Sequence, residues 1–277
     1  MQKYTKLSYL FAVLILLISC SEYHKVLNRG TIEEQYKMAV KMYETQKYAK
    51  ALQLFEKITP SYRGKPQMER IQFMVSQSNF NEKNYSLAGY YFSQFAKNYP
   101  KSSKAEESEF LSALSYYKAA PRFSLDPTDT NKALEYFQRY IDRHPESDKL
   151  VEANKYYAEL RYKLEKKAYE IAKTYYRTAD YDSRNYKAAM VAFDNLLSDY
   201  LGTNFKEQAL YYKLKSAYDY AMKSTFRRKA KRIDQAIKVY QKFKRSFPAS
   251  KYMKDSNRML AALHKEQKQL VKIKNGS

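Results

Sequence analysis

The sequence predicts an all-α protein: an α-solenoid of about five helix-turn-helix repeats closed by a C-terminal capping helix. Three observations predict it. The 277 residues include only 5 Gly and 7 Pro, with abundant Lys, Glu, Ala and Leu, so helix breakers are scarce and helix formers plentiful. The stretch Tyr85–Pro100, YSLAGYYFSQFAKNYP, sets Ala88, Phe92 and Pro100 in a small-x3-aromatic-x7-proline order. A small residue lets two helices approach, an aromatic one turn later fills the groove beside it, and proline stops the helix. The unit also recurs at constant spacing: small residues Ala39 and Ser76 each precede an alanine anchor, Ala51 and Ala88, by 12 positions.

The pattern resembles the second helix of a tetratricopeptide repeat, a unit of about 34 residues. In repeat one Tyr36, Ala39 and Tyr43 share one helical face, and Tyr48, Ala51 and Phe55 mark the second helix. Thr59-Pro60 stops that helix, and a loop with Gly64 and Pro66 follows. Repeat two has Ser76, then Tyr85, Ala88, Phe92 and Pro100. Repeat three has Ala113 and Tyr116, then Ala133, Phe137 and Pro145, its spacing stretched by a turn-rich insertion over Ala119–Pro127. Asp129 or Thr130 is expected to cap the returning helix. One long helix is expected from Asp148 to about Thr178, because Leu150, Ala153, Tyr157, Leu160, Leu164, Ala168, Ile171 and Tyr175 keep steps of three or four. Repeat four continues with Ala172, Tyr186, Ala189 and Phe193, with Leu201-Gly202 where proline is expected. Repeat five has Ala217 and Tyr220, a basic loop over 223–232, then Ala236, Tyr240 and Pro248. A capping helix over about 252–270 and a frayed tail, 271–277, complete the chain.

Residues 1–19 read as a signal peptide. Lys3 and Lys6 precede Leu7–Ile18, an apolar run of 12 residues that is too short to span a bilayer. Leu17-Ile18-Ser19-Cys20 resembles the bacterial lipobox, which makes Cys20 the lipidated residue and the chain's anchor to a membrane. Cys20 is the chain's one cysteine, so its modification leaves no thiol for a disulfide or metal. Residues 20–30 are expected to be a lipidated tether, 31–147 the first three repeats, and 148–270 the remainder. By resemblance to lipoprotein sorting rules, Ser21 after the cysteine favours the outer membrane. The missing acidic run favours its periplasmic face.

The formal net charge is +22, and removal of 1–19 leaves +20. Such charge suits nucleic acid, but the exported address excludes it as partner. Solvated helix faces, anionic lipid or an acidic partner remain open. Arg227-Arg228-Lys229-Ala230-Lys231-Arg232 is the densest basic run and reads as an exposed loop first. No catalytic constellation is visible. His24, His144 and His264 are scattered, with no H-E-x-x-H, G-x-S-x-G, Walker or G-x-G-x-x-G motif. No enzyme, cofactor or metal site is expected. What remains is surface: stacked hairpins offer a groove lined by first helices. Tyr36, Tyr43, Tyr62, Arg63, Phe73, Phe80, Tyr116 and Tyr117 are the candidates to line it, with packing between helices as the competing role for each aromatic. The repeat-packing anchors are Ala51, Phe55, Ala88, Phe92, Ala133, Phe137, Ala189, Phe193, Ala236 and Tyr240.

The lipobox, the Tyr62-Arg63-Gly64 loop, the Pro121-x-Phe123-Ser124-Leu125-Asp126-Pro127 insertion and the helix around Tyr162–Tyr176 together resemble the BamD family, the lipoproteins of outer-membrane β-barrel assembly. The resemblance covers nearly the whole exported chain and takes its Bacteroidota form. It implies a non-enzymatic scaffold on the periplasmic face of the outer membrane. It implies binding to the POTRA region of a BamA-like barrel protein through about 165–260, and to the targeting strand of unfolded barrel proteins through the loop at Tyr62. The alternative is another periplasmic repeat adaptor for envelope or division proteins, which usually lacks the lipobox and the insertion. A sugar-capturing lipoprotein fits less well, since such platforms favour Trp and the chain has none.

Overall fold

The computed structural model describes residues 22–275, with side chains through 273. The expected signal peptide, residues 1–19, lies outside the described residues, as do Cys20, Ser21 and residues 276 and 277. The described chain is helical hairpins throughout, with no strand. Helix α1 covers 22–29. The following helices are α2 (Ile32–Glu44), α3 (Tyr48–Ile58), α4 (Gln67–Asn81), α5 (Tyr85–Asn98) and α6 (Ala105–Ala119). Then come α7 (Thr128–Arg143), α8 (Leu150–Thr178), α9 (Arg184–Asp199), α10 (Lys206–Met222), α11 (Phe226–Ser246) and α12 (Met253–Asn275). The helices gather into two compact units. Unit 1 runs to Pro121 and resumes over Asp126–Leu160; unit 2 is Arg122–Leu125 and everything from Arg161. The division falls within α8, not at 147/148. The first turns of α8 belong to unit 1 because Ala153 and Leu160 are fully buried in the core with Phe110, Phe137 and Tyr140.

In unit 1 the expected tether is a helix from residue 22. Tyr23 is 2% exposed, and its hydroxyl donates to Gln53 Oε1 at 2.7 Å and to the Lys50 carbonyl at 3.2 Å. Val26 and Leu27, three and four residues on, pack on the same core. Thr31 then opens α2 with a reciprocal capping box to Glu34. Ala39, Ala51, Phe55, Ser76, Ala88, Phe92, Ala113, Ala133 and Phe137 have no exposed surface. The α7 N-cap is Pro127, which has no side-chain cap; Asp126 before it accepts from the Thr128 N–H through Oδ1 at 2.9 Å, and Asp129 and Thr130, expected to cap, lie inside the helix. Between α5 and α6, Gly89 replaces a side chain. A Cβ there would lie 2.8–3.0 Å from three ring atoms of Tyr116, and Ser112 Oγ donates to the Gly89 carbonyl at 2.8 Å. Gly89→Val is therefore expected to cost about 1–3 kcal/mol through overpacking, read as a lowered urea midpoint at unchanged slope.

In unit 2 Ala189, Phe193 and Ala236 are fully buried and Tyr240 is 6% exposed. The turn that lacks proline is held by polar contacts instead. Gly202 takes φ +78°, and buried Glu165 accepts from Thr203 Oγ1 at 2.9 Å and from Arg161 Nε at 3.0 Å. Arg161 Nη2 also reaches the Leu201 carbonyl at 2.6 Å. The insertion residues of this unit lie against α8: Lys166 Nζ stands 4.6 Å over the Phe123 ring, and Lys167 donates to the Leu125 carbonyl at 2.5 Å. Two expectations change here. The basic run 227–232 is helix, the first turns of α11, and the connection shrinks to three residues between Met222 and Phe226. Ile233 and Ala236, both fully buried, draw these turns into the helical register. The terminal helix also continues through Asn275, past the fraying point expected at 271.

Candidate functional site

Two neighbouring helices of unit 1 carry the same spacing along one groove. On α4, Met68, Ile71, Gln72, Val75 and Asn79 follow i, i+3, i+4, i+7, i+11; on α5, Leu87, Tyr90, Tyr91, Gln94 and Asn98 do the same. That spacing keeps five residues in one stripe. The two stripes, with Leu52, Glu56, Thr59 and Pro60 from α3 and its end and Arg63 beyond, enclose a groove of about 690 Å³. Its apolar members are Met68, Ile71, Val75, Leu52 and Leu87. Asn79 is held in place, donating through Nδ2 to the Val75 carbonyl at 2.9 Å. Leu87, Tyr90 and Tyr91 are 45%, 51% and 36% exposed, high for large apolar groups on one helix. An apolar trough edged by tyrosines, amides and one charge of each sign can take a peptide with alternating apolar and polar side chains.

Of the eight residues expected to line a groove, only Arg63 lines this one. The seven aromatics lie between helices. Tyr62 is 8% and Tyr116 4% exposed, and the other five are half-buried. Tyr62 meets Tyr36 with ring centroids 5.3 Å apart, and Tyr43 meets Tyr48 at 5.9 Å. Phe73 packs edge-on to Phe95 at 5.5 Å and Phe80 to Tyr85 at 5.5 Å. Tyr116 packs on Tyr136 at 5.2 Å and Tyr117 on Tyr156 at 4.4 Å. A ring that projects from a first helix spans the gap to the second, so it is consumed as packing. Burial pushes the Tyr116 hydroxyl up to about 12. Burial also pushes Tyr117 up to about 12, assisted by its hydrogen bond to the Glu159 carboxylate at 2.5 Å. The outward edges of several rings are covered by cations, Lys65 over Tyr62 at 5.2 Å and Lys104 over Phe73 at 5.4 Å. The residues missed in the sequence, Leu87, Tyr90 and Tyr91, alternate with the anchors Ala88 and Phe92. Their apolar character off the packing face was the signal that could have found them.

A family model described as outer membrane lipoprotein, YfiO, matches residues 29–223, well over half of the chain. The chain belongs to that family, the BamD family. A tetratricopeptide-repeat model matches residues 209–250, which covers most of α10 and α11 of this BamD-family lipoprotein. A relative from Aquifex aeolicus (strain VF5), named "Putative outer membrane protein assembly factor BamD", is 29% identical over 134 residues. That match takes in 46% of this chain and 42% of the relative, so it spans less than half of the relative's length. A solved structure from "Computational Design of Self-Assembling Cyclic Protein Homooligomers" aligns over 94% of this chain and 95% of its own at 15% identity, with a TM-score of 0.21. So low a score supports no argument. Among the described residues of the BamD-family chain, no helix is long and apolar enough to cross a membrane, and no group of three or more His, Cys, Asp or Glu is placed to hold a metal.

Unit 2 of this BamD-family chain carries a second candidate surface. The α8–α9 and α10–α11 turns are tied together by an ion pair between Asp180 and Lys223. Tyr186 completes it, donating to Asp180 Oδ1 at 2.5 Å and accepting from Lys223 Nζ at 2.9 Å. Hydrogen bonds from Lys223 and then Tyr186 lower the Asp180 carboxyl below the usual range. Tyr181, beside Asp180, is 94% exposed, and Phe226, on the other turn's flank, is 57% exposed. Two exposed aromatics on adjoining, braced turns have the composition of a protein contact.

Proposed function

We propose that this BamD-family lipoprotein is a non-enzymatic scaffold of outer-membrane β-barrel assembly. Cys20 carries the acyl anchor and holds the chain at the periplasmic face of the outer membrane. The groove between α3, α4 and α5 takes an extended, aromatic-bearing targeting strand of an unfolded barrel protein. The braced turns of unit 2, through Tyr181 and Phe226, dock the POTRA region of a BamA-like barrel protein. The observation that carries the reading is the groove itself, whose tyrosine and leucine edge is exposed on a member of an outer membrane lipoprotein family. An extended strand presents alternate side chains to one face, which suits an apolar trough with polar amides at its margin.

The test is binding of an unfolded outer-membrane barrel protein to the chain carrying Leu87→Glu and Tyr91→Glu. Both positions point away from the core, so the fold should persist. Client capture should fall at least tenfold, while a tag on the same chain should still recover a POTRA-containing barrel protein from mildly solubilised membranes. Undiminished client capture would overturn the groove assignment. Failure to recover the barrel protein with the unaltered chain would overturn the assembly role and favour an adaptor of another envelope process.

A further inference from the structure

The solvent faces of the last two helices carry a charge pattern of which contacts among the described residues use little. Residues 226–275 hold sixteen Lys and Arg and three acids, Asp234, Asp255 and Glu266. On α11, Arg227, Lys231, Lys238, Lys242 and Arg245 stand at i, i+4, i+11, i+15, i+18, and all are exposed. At 100° per residue they fall within a ~60° arc. The buried Ile233, Ala236, Tyr240 and Phe243 lie on the opposite side. On α12, Lys254, Arg258, Lys265, Lys268 and Lys272 repeat the device, opposite the buried Ser256, Met259 and Leu263. Each stripe extends about 27 Å.

The acids neutralise these stripes only in part. Glu266 turns to Lys229 at 2.7 Å, Asp234 accepts from Gln267 at 3.0 Å, and Asp255 accepts from Tyr211 at 2.7 Å. Asp255 also meets Arg258 at 2.6 Å, the one stripe cation of the ten with an ion-pair partner among the described residues. Between the cations of the arcs the exposed apolar residues are Ala230 and Ala261; the exposed Phe226, Val271 and Ile273 stand at the helix ends and off the arcs, not at their centres. A protein partner is gripped through a central apolar or aromatic anchor, and single-stranded nucleic acid through stacked rings; neither has a foothold here. A sheet of anionic headgroups needs only point charges spread over area. The chain belongs to an outer membrane lipoprotein family, so such a sheet is its neighbour.

We propose that the solvent faces of α11 and α12 are a phospholipid-contact surface that binds anionic headgroups, independent of the acyl anchor and of the groove. The full chain with Cys20→Ser, so that lipidation is absent from every protein compared, is mixed with vesicles of phosphatidylcholine alone or with about one third phosphatidylglycerol. The phosphatidylglycerol-dependent binding should be strong at low salt and fall at 0.5 M salt, where screening is nearly complete. Replacing Lys231, Lys238, Lys242, Lys254, Lys265 and Lys268 by Gln should weaken it at least a hundredfold, since each charge near an anionic surface contributes on the order of fivefold. The control neutralises six exposed lysines of unit 1, Lys47, Lys83, Lys97, Lys101, Lys149 and Lys155, and should lose under tenfold. Circular dichroism checks that both variants stay helical. Equal loss in the two variants, or no preference for phosphatidylglycerol, overturns the proposal. So does preferential capture by duplex DNA at matched phosphate, which would make the face a nucleic-acid surface.

Discussion

Phe92→Ala is expected to destabilise unit 1 by about 3–5 kcal/mol, the range for deleting a fully buried aromatic side chain. Phe92 has no exposed surface and meets Phe73 and Phe80 with ring centroids 6.1 and 6.5 Å away. Ala88, one turn earlier and equally buried, keeps α5 close to its neighbours. Phe73 is not free to move into the hole left there, because it is already held edge-on by Phe95 at 5.5 Å. Domain stabilities are typically 5–15 kcal/mol, so the variant loses a large share of its margin. Denaturant unfolding should show the loss, and amide exchange should show it in α4 and α5. Tyr91→Ala, one residue before and facing the groove, should change stability by less than about 1 kcal/mol. Equal effects at positions 91 and 92 would contradict the division of α5 into a packing face and a groove face.

That division also explains what the sequence disclosed. The anchors were legible because packing imposes a repeat: Ala51, Ala88, Ala133, Ala189 and Ala236 are all fully buried. The long helix was legible for the same reason, its period running unbroken to Thr178. The groove was not. Repetition marks only what every hairpin needs, whereas Leu87, Tyr90 and Tyr91 belong to one hairpin and break no rule. At Tyr36, Tyr62 and Tyr116 the sequence leaves both roles open, because tyrosine suits both a half-buried helix gap and a binding wall. The helical start of α11 was not legible because five cations in six residues read as solvated loop, although the apolar residues from Ile233 onward extend the helix back through them. Tyr23 was overlooked because it sits within ten residues of the expected cleavage point, where a tether was the simpler reading.

The tyrosines that carry so much of the packing give the protein an alkaline limit. Burial pushes the hydroxyls of Tyr116 and Tyr140 up to about 12 from an ordinary 10. Both rings are nearly inaccessible, 4% and 1% exposed. Burial raises Tyr169, Tyr176 and Tyr211 as well; Asp219 adds to it for Tyr176, and the hydrogen bond to Asp255 adds to it for Tyr211. The folded state therefore holds these rings neutral where the unfolded chain ionises them. Their contribution to stability is complete below pH 10 and is lost as pH rises from 10 toward 12. A rise from 10 to 12 corresponds to roughly 3 kcal/mol per ring, so Tyr116 and Tyr140 alone bring the loss to about 5 kcal/mol or more. Stability should accordingly be insensitive to tyrosine ionisation through pH 9 and collapse between 10 and 12. The share of phenolate absorbance that belongs to the buried rings should appear together with the loss of helical circular dichroism in one cooperative step, since ionising a buried ring requires opening the hairpin around it. Tyr116→Phe removes one such proton and should move the step to higher pH. Ionisation of every tyrosine near pH 10 with helix content intact would contradict the buried tyrosine packing in both units, and with it the reason so few of these rings remain to line a binding surface.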